Sequence, residues 1–309
     1  MKTITIVVVA VFALIVLAGY WLWTPDRSRA RLEAKYLANP ADMIVIDGAS
    51  LHVRDTGPKD GPAVIMIHGF GASLHTWDAW ADAMSDTYRV IRFDLPGSGL
   101  SLPDPANDYT DEHVAALLLR LMDRFGINRA TLIGNSIGGR IAWRTAARYP
   151  GRIDKLVLVS PDGFASPGFD YDAPPAVPAM MRLMRYALPK FMVRSNLAQS
   201  YGDPAALADS TVDRYYDLLL APGSRQALLD RLGQTVLTDP RPILKKIAIS
   251  VLLIWGEKDA LIPFSNAQDY LGHLSNARLV SFPDLGHVPH EEAPARTLPP
   301  VMKFLAGRD

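Results

Sequence analysis

The chain has no cysteine among its 309 residues, which removes disulfide frameworks, thiolate metal sites and cysteine nucleophiles together and leaves the redox compartment open. It also lacks an excess of either charge, since Lys+Arg and Asp+Glu both number 32 and the formal net charge is zero. No stretch is basic enough to track a phosphate backbone, so nucleic acid is not expected as a partner. No His-Glu-x-x-His spacing occurs, and neither a metal nor a cofactor is expected. The chemistry must come from Ser, His and carboxylates. With 49% hydrophobic and 21% charged residues, the chain has material for one large core, or for a core with a smaller inserted domain.

Charge is absent again from Thr3 to Trp23 (TITIVVVAVFALIVLAGYWLW), and a run of roughly 20 apolar residues is what a helix needs to cross a hydrocarbon core. Tyr20, Trp21 and Trp23 crowd its far end as interfacial aromatics do, and Pro25 stops it. Residues 3–23 are therefore expected to form a single-pass membrane anchor. The alternatives are a signal peptide cleaved near Val16-Leu17-Ala18 and a buried core helix. A lipoprotein signal is excluded because position 20 is Tyr, not Cys. Arg27, Arg29, Arg31 and Lys35 follow the run, which by the positive-inside bias keeps the remainder in the cytoplasm, whereas a signal-anchor reading places it outside. Residues 24–42 read as a polar, partly helical connector that lifts the domain off the bilayer.

Beyond the connector, short β-branched runs alternate with helical periods, the pattern of a mostly parallel sheet covered by helices. Strands are expected at 43–47, 51–55, 64–68, 89–93, 130–133, 155–159, 251–255 and 278–282, the first two pairing antiparallel. Helices are expected at 77–84, 111–125, 137–148 and 266–274. The alternation breaks between about Phe164 and Pro240, where Pro-rich turns lead into helical segments with no buried strand between them. This divides the chain into a core of 43–163 and 241–309 and an insertion of 164–240.

The strongest local signal is ATLIGNSIGGRIAW. An apolar strand ends at Gly134-Asn135-Ser136-Ile137-Gly138 and helical periodicity follows at once, as a nucleophile elbow requires. The bland alternative is a Gly-rich turn with a capping serine. A serine nucleophile needs a base, and the base needs a group to fix its tautomer. LLIWGEKDALIP places Asp259 just past an apolar strand, and SFPDLGHVPHEEAP places His287 after the next, in the chain order this elbow uses. Glu257 and Asp162 compete with Asp259. His290 competes with His287, which is preferred because Gly286 permits a close approach. His68, His75 and His113 precede the elbow and are poor bases for it. VIMIHGFGAS ends an apolar strand in a Gly-rich loop, and the oxyanion donors expected are the backbone N–H groups of Phe70 and Ile137. A plain Gly-rich turn is the alternative for that loop.

From about Met43 to Leu305 the sequence resembles the α/β-hydrolase superfamily: HGFGAS, DLPGSGLS, GNSIGG, WGEKDALIP and GHVPHEEAP match its blocks in order and spacing. The resemblance implies an α/β fold with an eight-stranded, mostly parallel sheet flanked by helices, and it identifies the insertion as a helical cap over the active site. It extends to monoacylglycerol-lipase-like hydrolases that carry an N-terminal membrane span. One departure is Pro299-Pro300, where the C-terminal helix is expected to start.

Members that use an Asp nucleophile, the epoxide hydrolases and haloalkane dehalogenases, do not fit Ser136. C–C-bond hydrolases of ring-fission products share the Gly-Asn-Ser-x-Gly-Gly wording but tend to carry Trp where this chain has Val288. Perhydrolases carry Met where it has Ile137. A serine hydrolase of carboxylic esters, acylglycerol or other lipid-like esters among them, is the expected function. C–C hydrolysis and a catalytically silent binding protein are the alternatives. Met180, Met181, Met184, Leu188, Phe191 and Met192 interleave with Arg182, Arg185, Lys190 and Arg194, a pattern that suits an acyl-chain pocket or an entry gate near a membrane, or ordinary packing of cap on core.

Overall fold

β-Branched and aliphatic runs build one central sheet in the computed structural model of the chain, which describes residues 4–7, 9, 19–165 and 170–308. The strands are β1 (Met43–Ile46), β2 (Ala49–Thr56), β3 (Ala63–Ile67), β4 (Arg89–Phe93), β5 (Ala130–Asn135), β6 (Ile153–Val159), β7 (Ser250–Gly256) and β8 (Ala277–Phe282). They lie in the order β1-β2-β4-β3-β5-β6-β7-β8. β1 pairs antiparallel with β2 as expected, β2 is also antiparallel to β4, and every other pairing is parallel.

The described helices are α1 (Arg29–Tyr36), α2 (Asp78–Met84), α3 (Asp111–Arg124), α4 (Ile137–Arg148), α5 (Ala179–Arg182), α6 (Lys190–Ala198), α7 (Asp209–Leu219), α8 (Ser224–Gln234), α9 (Arg241–Leu244), α10 (Asn266–His273), α11 (Pro289–Glu292) and α12 (Pro294–Leu305). Alternation along the strands sends side chains to two separate cores. Ile65, Ile67, Leu132, Leu253 and Trp255 face α3, α4 and α10. Val64, Met66, Ile133, Leu252 and Ile254 face Trp77, Trp80, Val301 and Phe304 of the opposite layer. With both faces covered, the central strands are apolar throughout. Helices α5 to α9 fill the chain between β6 and β7, and among the described residues only an isolated bridge, Tyr171 to Leu237, has β character there.

Two expectations change, and a third falls largely outside the described residues. The C-terminal helix begins at Pro294 and carries Pro299 and Pro300 inside it, so it does not start at that pair. Burial of Thr297, Val301 and Phe304 keeps it helical despite two lost backbone donors. Residues 24–42 are no free spacer, since α1 buries Leu32 against Leu100, Leu218 and Ala221. Arg27 and Lys35 also pair with Asp217 of α7 at 2.7 and 2.8 Å. Finally, much of the run 3–23 expected to span a membrane lies outside the described residues; 4–7, 9 and 19–22 are helical. Among the described residues no helix is long and apolar enough to cross a membrane.

Candidate active site

The fully buried strand β5 runs straight into the turn at Ser136, whose backbone sits at φ 56° and ψ −123° before α4 begins. A positive φ at a non-glycine residue costs of order 1–3 kcal/mol and persists only where its surroundings over-determine it. Here Ser136 N donates to Val159 O, while Asp162 N and Arg140 N donate to Ser136 O, all at 3.1 Å. The flanking glycines are required by close approach. A Cβ at Gly138 would strike Ile67 O and lie 2.6 Å from His68 O, and one at Gly134 would strike Gly138 O. The turn thus presents Ser136 beyond the C-terminal ends of the parallel strands, at a helix N-terminus that favours negative charge.

Asp259 follows β7. Its Oδ1 accepts from the backbone N–H groups of Leu261 and Ile262, both at 2.9 Å, which fixes the carboxylate plane. Its Oδ2 lies 2.8 Å from His287 Nδ1, with the two side chains 0% and 6% exposed. A carboxylate only accepts, so the proton sits on Nδ1 and Nε2 is the nitrogen left for proton transfer.

The competing residues are occupied elsewhere. Glu257 is exposed and accepts from Ser281 Oγ at 2.7 Å. Asp162 pairs with Arg140, which also donates to Asp111 at 2.8 Å. His290 stacks on Trp77 with ring centroids 4.0 Å apart, and burial lowers its pKa to about 3. His75 meets Asp78 at 3.1 Å and His113 meets Asp104 at 2.7 Å.

His68 is a structural part of the neighbouring loop. Its Nε2 accepts from Leu95 N at 2.9 Å, so its Nδ1 carries the proton and donates to Gly69 O at 2.8 Å. Burial lowers its pKa to about 4, against the pull of Asp94, and keeps the ring neutral. Asp94 in turn accepts from Leu74 N at 2.7 Å and from Leu100 N and His52 Nδ1 at 2.8 Å, joining the chain segments behind the loop. A Cβ at Gly69 would lie 3.3 Å from Ser136 Cβ, so this loop rests on the elbow. Among the described residues neither Phe70 N nor Ile137 N donates to another backbone oxygen; Ile137 opens α4, where the first N–H groups have no partner within the helix.

Sequence reasoning missed the residues that hold His287. Asn135 Nδ2 donates to Val159 O and to His287 O, both at 3.1 Å, tying the histidine loop to the strand end beside Ser136. A polar residue closing an apolar strand was the available signal. Glu292 accepts from Gly286 N at 2.8 Å and from Gly202 N and Asp203 N at 3.0 Å. His287 N donates to Ser200 O at 2.7 Å. The neighbouring Glu291, whose pKa burial raises against the opposing pull of Arg214, pairs with Arg214 and accepts from Tyr215 at 2.8 Å. No local pattern announces these partners. A cleft of about 300 Å³ lined by Lys59, Ala63, Arg89 and Asp154 opens at the starts of the strands, the end opposite the one where open α/β sheets place their chemistry.

Residues 62–294 match the family described as alpha/beta hydrolase fold. The chain is 30% identical over 261 residues to a pimeloyl-[acyl-carrier protein] methyl ester esterase of Nitrosomonas europaea, covering 78% of this chain and 94% of that one. It is 28% identical over 246 residues to a 2-hydroxy-6-oxo-6-phenylhexa-2,4-dienoate hydrolase of Comamonas testosteroni, covering 77% and 84%. The crystal structure of a membrane phospholipase A superposes with a TM-score of 0.74 over 100% of this chain and 99% of that one; at 23% identity it shows the shared fold alone. With the family match spanning most of the sheet and the strand order that carries Ser136, Asp259 and His287 to one edge, the chain belongs to the alpha/beta hydrolase fold family.

Proposed function

We propose that the protein hydrolyses carboxylic esters through an acyl-enzyme on Ser136. The observation that carries this reading is the buried 2.8 Å hydrogen bond from His287 to Asp259, set at the same sheet edge as a serine held at positive φ. In acylation His287 Nε2 takes the Ser136 proton as Oγ attacks the ester carbonyl. The oxyanion forms at the N–H groups of Phe70 and Ile137, a contribution worth about 3–4 kcal/mol per donor in a comparable hydrolase. Collapse expels the alcohol, which receives the proton back from His287, and water repeats the sequence to release the acid. Asp259 holds the imidazole in the tautomer that leaves Nε2 free.

The similarity to a methyl ester esterase supports the ester reading. The similarity to a dienoate hydrolase supports C–C hydrolysis as the second reading, with the same serine attacking a ketone. Residues 164–240 act as the cap above the site, and residues 3–23 as a membrane anchor that holds it near lipid-like esters.

The test is hydrolysis of p-nitrophenyl esters from acetate to palmitate by the full-length chain in detergent, beside Ser136→Ala. The full chain is needed because truncation near Arg31 would remove Arg27 from its pairing with Asp217. Ester turnover that vanishes in the variant is the expected result. A folded protein that cleaves no ester but does cleave a ring-fission dienoate would transfer the assignment to the second reading.

A further inference from the structure

An apolar surface outside the catalytic site joins two parts of the chain that the sequence keeps far apart. Trp23 stacks on Tyr186 with ring centroids 6.0 Å apart. Thr24 N donates to Tyr186 O at 2.8 Å, and Leu188 N donates to Thr24 Oγ1 at 3.1 Å. The end of the apolar run and the segment from α5 to α6 therefore form one surface. Large apolar side chains stand out from both parts: Trp21 is 80% exposed, Met180 76% and Phe191 67%, and Tyr20, Leu183 and Met192 are exposed as well. Single exposed hydrophobics are ordinary on a protein surface, but several brought onto one surface mark a binding site.

Charge indicates what the surface meets. No acidic residue occurs between Asp172 and Asp203, whereas Arg182, Arg185, Lys190 and Arg194 all lie there, in a chain whose net charge is zero. Lys190 and Arg194 pair with Asp213 and Asp209; among the described ion pairs Arg182 and Arg185 have none. Arg185 lies over the Tyr186 ring, 5.6 Å from its centroid. Exposed tryptophan, methionine and phenylalanine with interspersed arginine suit the boundary of an anionic bilayer, where rings and thioethers enter the acyl region and guanidinium groups meet headgroups. The uncharged run from Thr3 to Trp23 leads directly into this surface.

We propose that residues 20–23 and 180–192 bed together into an anionic bilayer. The inner side of the same segment packs toward the HGFGAS loop. Leu188 and Val193 are buried with Tyr215 and Leu220, and Met184 and Ala72 pack against them. Ala72 belongs to the HGFGAS loop beside Ser136, so one layer of helix separates lipid from the oxyanion loop. An ester drawn from the bilayer would pass along Met184 to reach the serine. This delivery step rests on the ester reading above; the contact with lipid does not.

The absence of cysteine makes the contact measurable. Full-length Ser136→Ala protein carrying Phe191→Cys, labelled with an environment-sensitive fluorophore, is reconstituted in phosphatidylcholine–phosphatidylglycerol vesicles containing nitroxide-labelled lipid. Asn128→Cys, at the opposite end of the sheet, is the control. The label at 191 is expected to lose most of its emission and the label at 128 none. Adding Arg182→Glu and Arg185→Glu, or using phosphatidylcholine alone, should restore emission at 191. Equal quenching at 191 and 128, no dependence on charge, or disulfide-linked dimers through position 191 in place of quenching would each overturn the proposal. Because the serine is absent from this assay, its outcome is independent of whether the protein cleaves esters.

Discussion

The turn at Ser136 and the loop that carries His287 are held by different physics. At the elbow, Ser136 is fixed by backbone pressed against backbone: glycines at 134 and 138 fit where any side chain would collide, and three main-chain hydrogen bonds hold the strained turn. Across the site, His287 is shared between the sheet and the insertion. Asn135 and Asp259 grip it from below, while Ser200 and the Glu292 carboxylate bind its loop to residues 200–203 of the insertion. Ser136 is thus placed by its own turn, and His287 by contacts from two parts of the fold. A shift of residues 200–203 would disturb His287 before Ser136.

Substitutions at each of the two sites separate these modes of support. Asp259→Asn attacks the sheet-borne support most directly, since it keeps the shape but presents an amide to Nδ1. kcat on p-nitrophenyl butyrate should fall about 10⁴-fold, and a near-normal rate would mean that another group orients His287. Gly138→Ala drives a methyl group into the Ile67 and His68 carbonyls and should cost about 3 kcal/mol of stability. An unchanged urea midpoint would show slack in the elbow and end the claim that backbone contact fixes it.

Glu292→Ala releases three N–H groups that span the base loop and the insertion. A displacement of the base should lower kcat about 10²-fold with KM for a short ester nearly constant, and should move the pH profile of kcat/KM. An unaltered profile and rate would show that the sheet alone positions His287.

The smallest effect concerns His68, whose pKa is about 4 when folded. The unfolded chain takes up a proton at this histidine below about pH 6.5 while the folded chain resists, so stability falls as pH drops toward 4. The slope is up to about 1.4 kcal/mol per pH unit. His68→Asn should flatten the dependence of the urea midpoint on pH in that window. An identical slope would assign the acid sensitivity to His290 and other groups.

The sheet was legible in the sequence because its signals are local. A strand such as VLLIWG is apolar along its whole length, and GNSIGG carries the residues that its own tight turn demands. Ser136, Asp259 and His287 could be named because each follows a strand at a fixed short distance. The insertion was legible only as a break in alternation. Its Met-rich segment has two plausible faces, and only packing shows that Met184 and Leu188 turn inward while Met180 and Phe191 turn out.

Sequence alone therefore determined the strand and helix alternation, the elbow and the candidate catalytic trio, through short-range sterics and hydrophobic period. Tertiary structure decided what depends on residues distant along the chain. Leu32 buries itself in α1, turning an expected spacer into packed structure. Val301 and Phe304 hold α12 together through two prolines. Glu292 joins Gly286 to Gly202, 90 positions before it. Such contacts follow from the spatial coincidence of chain segments, and no pattern within either segment encodes that coincidence.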